Sequence, residues 1–458
     1  MLGGHTRRLA LAAAFSGTVL LAGCAGAGGG NADGGGEGGE DGGSISVIMV
    51  NNPQMVDLEN LTEEHFTAET GIEVNFTVLP ENDVRDRITQ EFSSQAGQYD
   101  VASISNYEVP FYSQNGWLAP LDEYLEGDEE FNQDDILPAM ESSLTGEDGS
   151  VYAEPFYGES SFLMYRKDVF EQAGLTMPEN PTWQQVADLA ARVDNVQPGM
   201  RGICLRGQPG WGQVFAPLTT VVNTFGGTWF EEDWTAKVNS PEFTEATQFY
   251  VDLVRAHGEA GAPQAGFTEC LNNMTQGNVA MWYDATSAAG SLEAEGSPVA
   301  GKIGYVAAPV VETDASGWLY TWAWGIQEAS QNKEDAWEFI SWASSQGYEE
   351  LVGEQLGWAK VPSGKRSSTY ENEQYQQAAA PFYEATRDAI LTADPQSPGV
   401  QPRPAPGIQF VAIPEFAAMA TQVSQLVSSA IAGQTSVPDA LAQGQQIAQE
   451  QVTEVYQE

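Results

Sequence analysis

The chain is short of cations. Its 458 residues carry 18 Lys and Arg against 64 Asp and Glu, a formal net charge of −46. Recognition of a phosphate backbone depends on clustered Lys and Arg, so nucleic acid is excluded as a partner. Histidine and cysteine are equally scarce, at three each. His5, His65 and His257 are scattered, as are Cys24, Cys204 and Cys270, and no Cys/His zinc site is expected. No nucleophile elbow, phosphate loop or metal-ligand cluster appears, so neither a cofactor nor a metal is expected. Carboxylates are so abundant that a catalytic pair is easy to imagine, which makes abundance uninformative. The acidic stretch Asp128 to Asp135 lacks the glycine and spacing of a calcium loop and reads as solvated surface. The excess of negative charge keeps a protein soluble while straining its compact state, a load that salt relieves, which fits a saline habitat.

Long apolar runs are missing too. The longest, Leu9 to Leu21, follows Arg7 and Arg8 and falls short of the roughly 20 residues a membrane span needs. A positive start, a short apolar core and small residues before Cys24 describe a secretory signal over residues 1–23. Leu21-Ala-Gly-Cys24 resembles a bacterial lipobox, which implies that Cys24 is acylated. Residues 24–44 are then a glycine-rich coil with a span on the order of 25 Å, suited to tethering a domain outside the cell, on the outer face of the membrane. Membrane contact is expected through that lipid alone. Outside the cell Cys204 and Cys270 can form a disulfide, adding roughly 4 kcal/mol in the chain-entropy model, or remain two buried thiols.

Roughly 415 residues follow the tether, too many for one core, which predicts two lobes. The β-branched run Ser46 to Val50 predicts a strand. Leu58, Leu61 and Glu64/His65 repeat at helical spacing up to Gly71, and Ile72 to Leu79 is a second strand. Val84, Ile88 and Phe92 mark a helix that Gly97 ends, before a third strand from Tyr99 to Ile104. This βαβαβ order predicts a parallel sheet with ligands beyond the strands' carboxyl ends, near Asn51-Asn52 and Asn106-Tyr107. Further on, Thr182 is a helix N-cap, Pro241 starts a helix, and Val279 to Tyr283 is a strand. Gly317 to Ile326 reads as a strand whose Trp318, Tyr320, Trp322 and Trp324 share one face by the period of two. The tail from Ile413 is helical, interrupted at Gly433 and Pro438.

Several segments together resemble the bacterial extracellular solute-binding proteins that serve carbohydrate ABC transporters. They are Asn115-Gly-Trp-Leu-Ala-Pro-Leu-Asp122, Gly149-Ser-Val-Tyr-Ala-Glu-Pro-Phe156, Phe162-Leu-Met-Tyr-Arg-Lys-Asp-Val-Phe-Glu-Gln-Ala-Gly174 with Pro181-Thr-Trp183, Asn332-Lys-Glu-Asp-Ala-Trp-Glu-Phe-Ile340 and Gly433-Gln-Thr-Ser-Val-Pro-Asp-Ala-Leu441. Within the family, four segments are most similar to the polyol (mannitol/sorbitol) binders. These are Gly202-Ile-Cys-Leu-Arg-Gly-Gln-Pro-Gly-Trp-Gly212, Ala280-Met-Trp-Tyr-Asp-Ala-Thr286, Gly317-Trp-Leu-Tyr-Thr-Trp-Ala-Trp324 and Gly407-Ile-Gln-Phe-Val-Ala-Ile-Pro-Glu-Phe416. Trp324 departs from the aliphatic residue expected there and is read as reshaping the pocket.

The resemblance implies a two-lobed α/β fold of the periplasmic-binding-protein kind, with a hinge and an interlobe cleft. One lobe is 45–158 plus 312–365, the other 159–311 plus 366–458. It also implies a monomer that passes a small polyol or sugar to an ABC permease. A polyhydroxylated ligand calls for planar polar side chains that bridge neighbouring hydroxyls and aromatic surfaces for its carbon chain. The polar candidates are Asn51, Asn106, Glu159, Arg206 and Asp284; the aromatic ones are Tyr107, Trp211, Trp282 and Trp322. The competing readings are an extracellular carbohydrate-active enzyme and a ligand sensor on the same fold.

Overall fold

The computed structural model describes residues 43–457, so the signal segment, Cys24 and nearly all of the tether lie outside the described residues. Ser44–Val50 (β1), Glu73–Leu79 (β2) and Val101–Ser105 (β3) form the predicted parallel core, with β1 in the middle. β3 is buried at every position, as a strand covered on both faces must be. Two later strands extend this sheet. Tyr320–Ile326 (β8) runs antiparallel to β3, and Glu154–Glu159 (β4) runs antiparallel to β8, giving the order β2-β1-β3-β8-β4. The sheet is therefore mixed rather than purely parallel.

A second, three-stranded sheet has Ser161–Arg166 (β5) at its centre. Met281–Ala285 (β6) and Ile303–Ala307 (β7) flank it, both antiparallel. The chain passes from the first sheet to the second through one residue, Ser160, which is fully buried and donates its N–H to Thr286 Oγ1 at 3.1 Å. It returns between β7 and β8.

Local expectations and outcome differ where a side chain replaced a glycine or a strand began late. The helix Glu81–Ser94 stops at Gln95, in the left-handed region at φ 50°, two residues before Gly97. The Gln95 side chain compensates by donating to the Phe92 and Trp117 carbonyls. β6 starts two residues later than expected, and β8 starts at Tyr320, which leaves Trp318 outside the strand. Trp324 is fully buried against Phe156 and Phe339, with ring centroids 5.2 and 5.9 Å away. It shapes the core behind the first sheet rather than the pocket. Thr182 does cap its helix, forming a reciprocal pair with Gln185. Pro438 lies in the first turn of the final helix, Val437–Tyr456, and begins it instead of breaking it. Among the described residues no helix is long and apolar enough to cross a membrane.

Cys204 and Cys270 are joined in a disulfide, with Cα atoms 5.6 Å apart across 66 residues of sequence. The bond ties the segment before the cleft loop to the helix Phe267–Thr275. Reduction, or replacement of both cysteines by serine, is expected to cost about 4 kcal/mol by the chain-entropy model. Calorimetry with and without reductant measures it, and an unchanged melting temperature would show that the bond adds no stability.

Candidate functional site

The parallel strands aim their carboxyl ends at a cleft between the two sheets. Asn52 follows β1 by two residues and Glu81 follows β2 by two. Tyr320 and Trp322 enter from the start of β8, and Glu159 from the end of β4. The opposite wall carries Arg206, Phe267 and Ser287. Together they line a small, tightly closed cleft.

Two buried guanidinium groups organise the walls. Arg85 donates to Glu81 at 3.0 Å, to Glu108 at 2.9 Å and to the Tyr320 hydroxyl at 2.6 Å. Its Cζ lies 4.2 Å from the Trp211 ring centroid and 4.9 Å from that of Trp322. Burial opposes the charge, but Tyr320, Glu81 and Glu108 hold it protonated, above the usual arginine value. Arg206 grips Asp284 with two parallel bonds, Nε to Oδ2 at 2.8 Å and Nη2 to Oδ1 at 2.6 Å, and donates Nη1 to the Gly212 carbonyl at 3.0 Å. Glu81 faces both cations, since its other oxygen accepts from Gln213 at 2.9 Å and lies 3.9 Å from Arg206.

Glu159 is 7% exposed, and burial pushes its carboxyl up to about 8, so at neutral pH it is largely protonated. The Ser287 hydroxyl donates to it at 2.5 Å. The cleft thus offers the N–H groups that two fixed guanidiniums leave free, the carboxyls of Glu81 and of the largely protonated Glu159, and aromatic rings. That set can bind several hydroxyls of one small molecule at once. Among the described residues the one grouping of potential metal ligands is Cys204, Glu259 and Cys270, and both sulfurs are committed to the disulfide.

Of the residues expected from sequence, Glu159, Arg206 and Trp322 line this cleft. Asp284 and Trp282 are fully buried behind it. The Trp282 indole N–H and Arg206 both bind Asp284 Oδ2, so the carboxylate is occupied in holding Arg206 and does not face the cleft. Trp211 supports Arg85 from behind. Asn106 and Tyr107 border a neighbouring cavity instead, with Asn106 accepting the Thr321 N–H and Tyr107 donating its hydroxyl to the Ile413 carbonyl at 3.0 Å. Asn51 is exposed and satisfies the Leu79 carbonyl through its backbone. Its neighbour Asn52 faces inward and donates to the Tyr157 hydroxyl at 2.8 Å. Sequence reasoning missed Glu81 and Arg85. The strand-end rule applied to β2 points at Pro80-Glu81-Asn82, and the rarity of cations singles out any arginine placed there.

Removing Asp284 leaves Arg206 buried and uncompensated. Asp284→Ala is expected to cost about 3–5 kcal/mol of stability, measured by denaturant unfolding without ligand; a cost below about 1 kcal/mol would show the pair to be dispensable. Glu159 gives a pH signature. Its folded value near 8 lies above the ordinary 4.5, so the folded state binds the extra proton and stability falls as pH rises through that window. Glu154, buried and likewise raised to about 8, contributes a second such slope. Glu159→Gln is expected to flatten the pH dependence of the melting temperature between about 4.5 and 8 without abolishing it; an unaltered slope would overturn the assignment.

Comparison with known proteins places this geometry. Residues 52–350 match the model of the bacterial extracellular solute-binding protein family. The mannitol-binding protein of Pseudomonas aeruginosa is 41% identical over 406 residues, 88% of this chain and 92% of that one. The erythritol/L-threitol-binding protein of Mycolicibacterium smegmatis is 28% identical, over 66% of this chain and 67% of its own length. An ABC transporter solute-binding protein from Agrobacterium vitis S4, solved with bound D-mannitol, is 42% identical with a TM-score of 0.87, covering 90% of this chain and 98% of that one. Sequence and two-lobed architecture agree, and the chain belongs to the bacterial extracellular solute-binding protein family.

Proposed function

We propose that the cleft captures an acyclic sugar alcohol outside the cell and presents it, chemically unchanged, to the membrane permease of an ABC importer. The observation that carries this reading is the pair of immobilised guanidiniums, Arg85 and Arg206, lining a small cleft together with Trp322, Tyr320 and Phe267. A polyol presents a row of vicinal hydroxyls, each both donor and acceptor, on an apolar carbon chain. The N–H groups that the guanidiniums leave free donate to its oxygens, and rings cover the C–H faces. Glu81 accepts from hydroxyls, while Glu159 in its protonated form donates or accepts. Relatives with polyols in their names support the same class. In this reading the lobes divide as 45–158 plus 312–365 and 159–311 plus 366–458, with crossings near Tyr157 to Ser161 and Val306 to Glu312. The monomeric body is tethered by a lipid on Cys24.

Mannitol, sorbitol, arabitol, xylitol and common sugars are to be screened by thermal shift and titration calorimetry. A true ligand at 100 times its dissociation constant is expected to add about 2.7 kcal/mol of stability. Arg85→Ala and Trp322→Ala are each expected to weaken binding about tenfold or more, roughly 1.4 kcal/mol. No shift with any polyol or sugar sinks the ligand assignment, and consumption of the ligand in the same samples would favour an enzyme. Cys24→Ala is expected to move the protein from the membrane fraction to the soluble one, and unchanged membrane retention would refute the anchor.

A further inference from the structure

The cleft has a neighbour. A second cavity, with about 1140 Å³ of atom-free space that opens to solvent, lies beside it. Three residues, Tyr320, Gln409 and Phe410, line both. They form a septum between the two. Beyond it the walls mix amides and hydroxyls with apolar surface, including Asn106, Ser142 and Thr145 on one side and Pro395, Gln396 and Ile408 on the other. That mixture is the chemistry a sugar ring requires.

The septum is held firmly. The Phe410 ring packs 4.8 Å from Trp211 and 5.9 Å from both Tyr107 and Tyr320. Arg85 fixes the Tyr320 hydroxyl at 2.6 Å. The turn behind Phe410 is pinned by Asn223, which donates to the Ile408 carbonyl at 2.8 Å, and by Arg403, which donates to the Gly407 carbonyl at 2.9 Å and to Asn223 Oδ1 at 3.1 Å. Gly407 adopts φ 122°, and a Cβ there would collide with the Phe410 carbonyl oxygen, so this turn requires glycine.

The geometry points to Phe410, with Gln409 and Tyr320, as the wall that sets ligand length. The cleft accepts one free polyol and rejects a polyol carrying a glycosyl group on its terminal hydroxyl, because that ring needs the space behind the wall. This inference rests on the polyol reading above. Titration calorimetry on the mature protein with D-mannitol and 1-O-α-D-glucopyranosyl-D-mannitol tests it. The wild type is expected to bind the glucoside roughly 100-fold more weakly than mannitol. Phe410→Ala joins the two cavities and is expected to raise glucoside affinity about tenfold or more, with mannitol affinity changed less than the glucoside's. Gln409→Ala opens the same septum from its polar side with less loss of packing, so it reports even where Phe410→Ala fails to fold. A gain in either folded variant supports the wall. Wild-type protein that binds the glucoside as tightly as mannitol, or folded variants that bind mannitol but gain nothing for the glucoside, overturns it. Wild-type protein that binds neither compound removes the mannitol premise, and the wall falls with it.

Discussion

The cleft depends on keeping two guanidinium groups charged and still in a place with little water. A buried cation without a partner is strongly unfavourable, and a carboxylate alone in the same place fares no better. Here each cation has an acid of its own: Asp284 for Arg206, and Glu108 with Glu81 for Arg85. Because those acids are themselves anchored, the donors are aimed before any ligand arrives, and binding need not immobilise them. The aromatic rings around Arg85 complete the enclosure. In a chain with so few cations, placing two of them here is a large share of what is available.

Glu81 couples the two groups. It is the first residue of its helix, it bonds Arg85 on its own side of the cleft, and it accepts from Gln213 on the other. Asn82 adds a bond to the Pro209 carbonyl at 3.0 Å. The charge network is thus also a fastening between the two walls of the cleft.

Much of the framework was legible because strand and helix periods are local. The first three strands, the Thr182 cap and the helix beginning at Pro241 follow from residues adjacent in sequence. β8 as the fourth strand of the first sheet was not legible from period or propensity, since pairing across more than 200 residues leaves no local mark. The site shows the same division. Arg206, Glu159 and Trp322 were found through composition and family resemblance, and all three face the cleft. Asp284 and Trp282 come from the same motif, but strand alternation alone does not say which side chain meets solvent and which holds its neighbour. Asn51 and Asn52 differ by one position, and that one residue decides which points inward. Arg85 was missed because its role arises only when a helix from one segment meets a strand residue 235 positions away.

The single-residue passage at Ser160 has a mechanical consequence. In a fold that opens and shuts about such a link, displacement grows with distance from the pivot, so atoms beside it barely travel. Glu159 is the residue immediately before that point, and its partner Ser287 follows the Thr286 that secures it. Their contact lies directly beside the passage, where a rotation about it would displace atoms least. Under the proposed function, Glu159 and Ser287 are the part of the wall whose spacing such a rotation alters least.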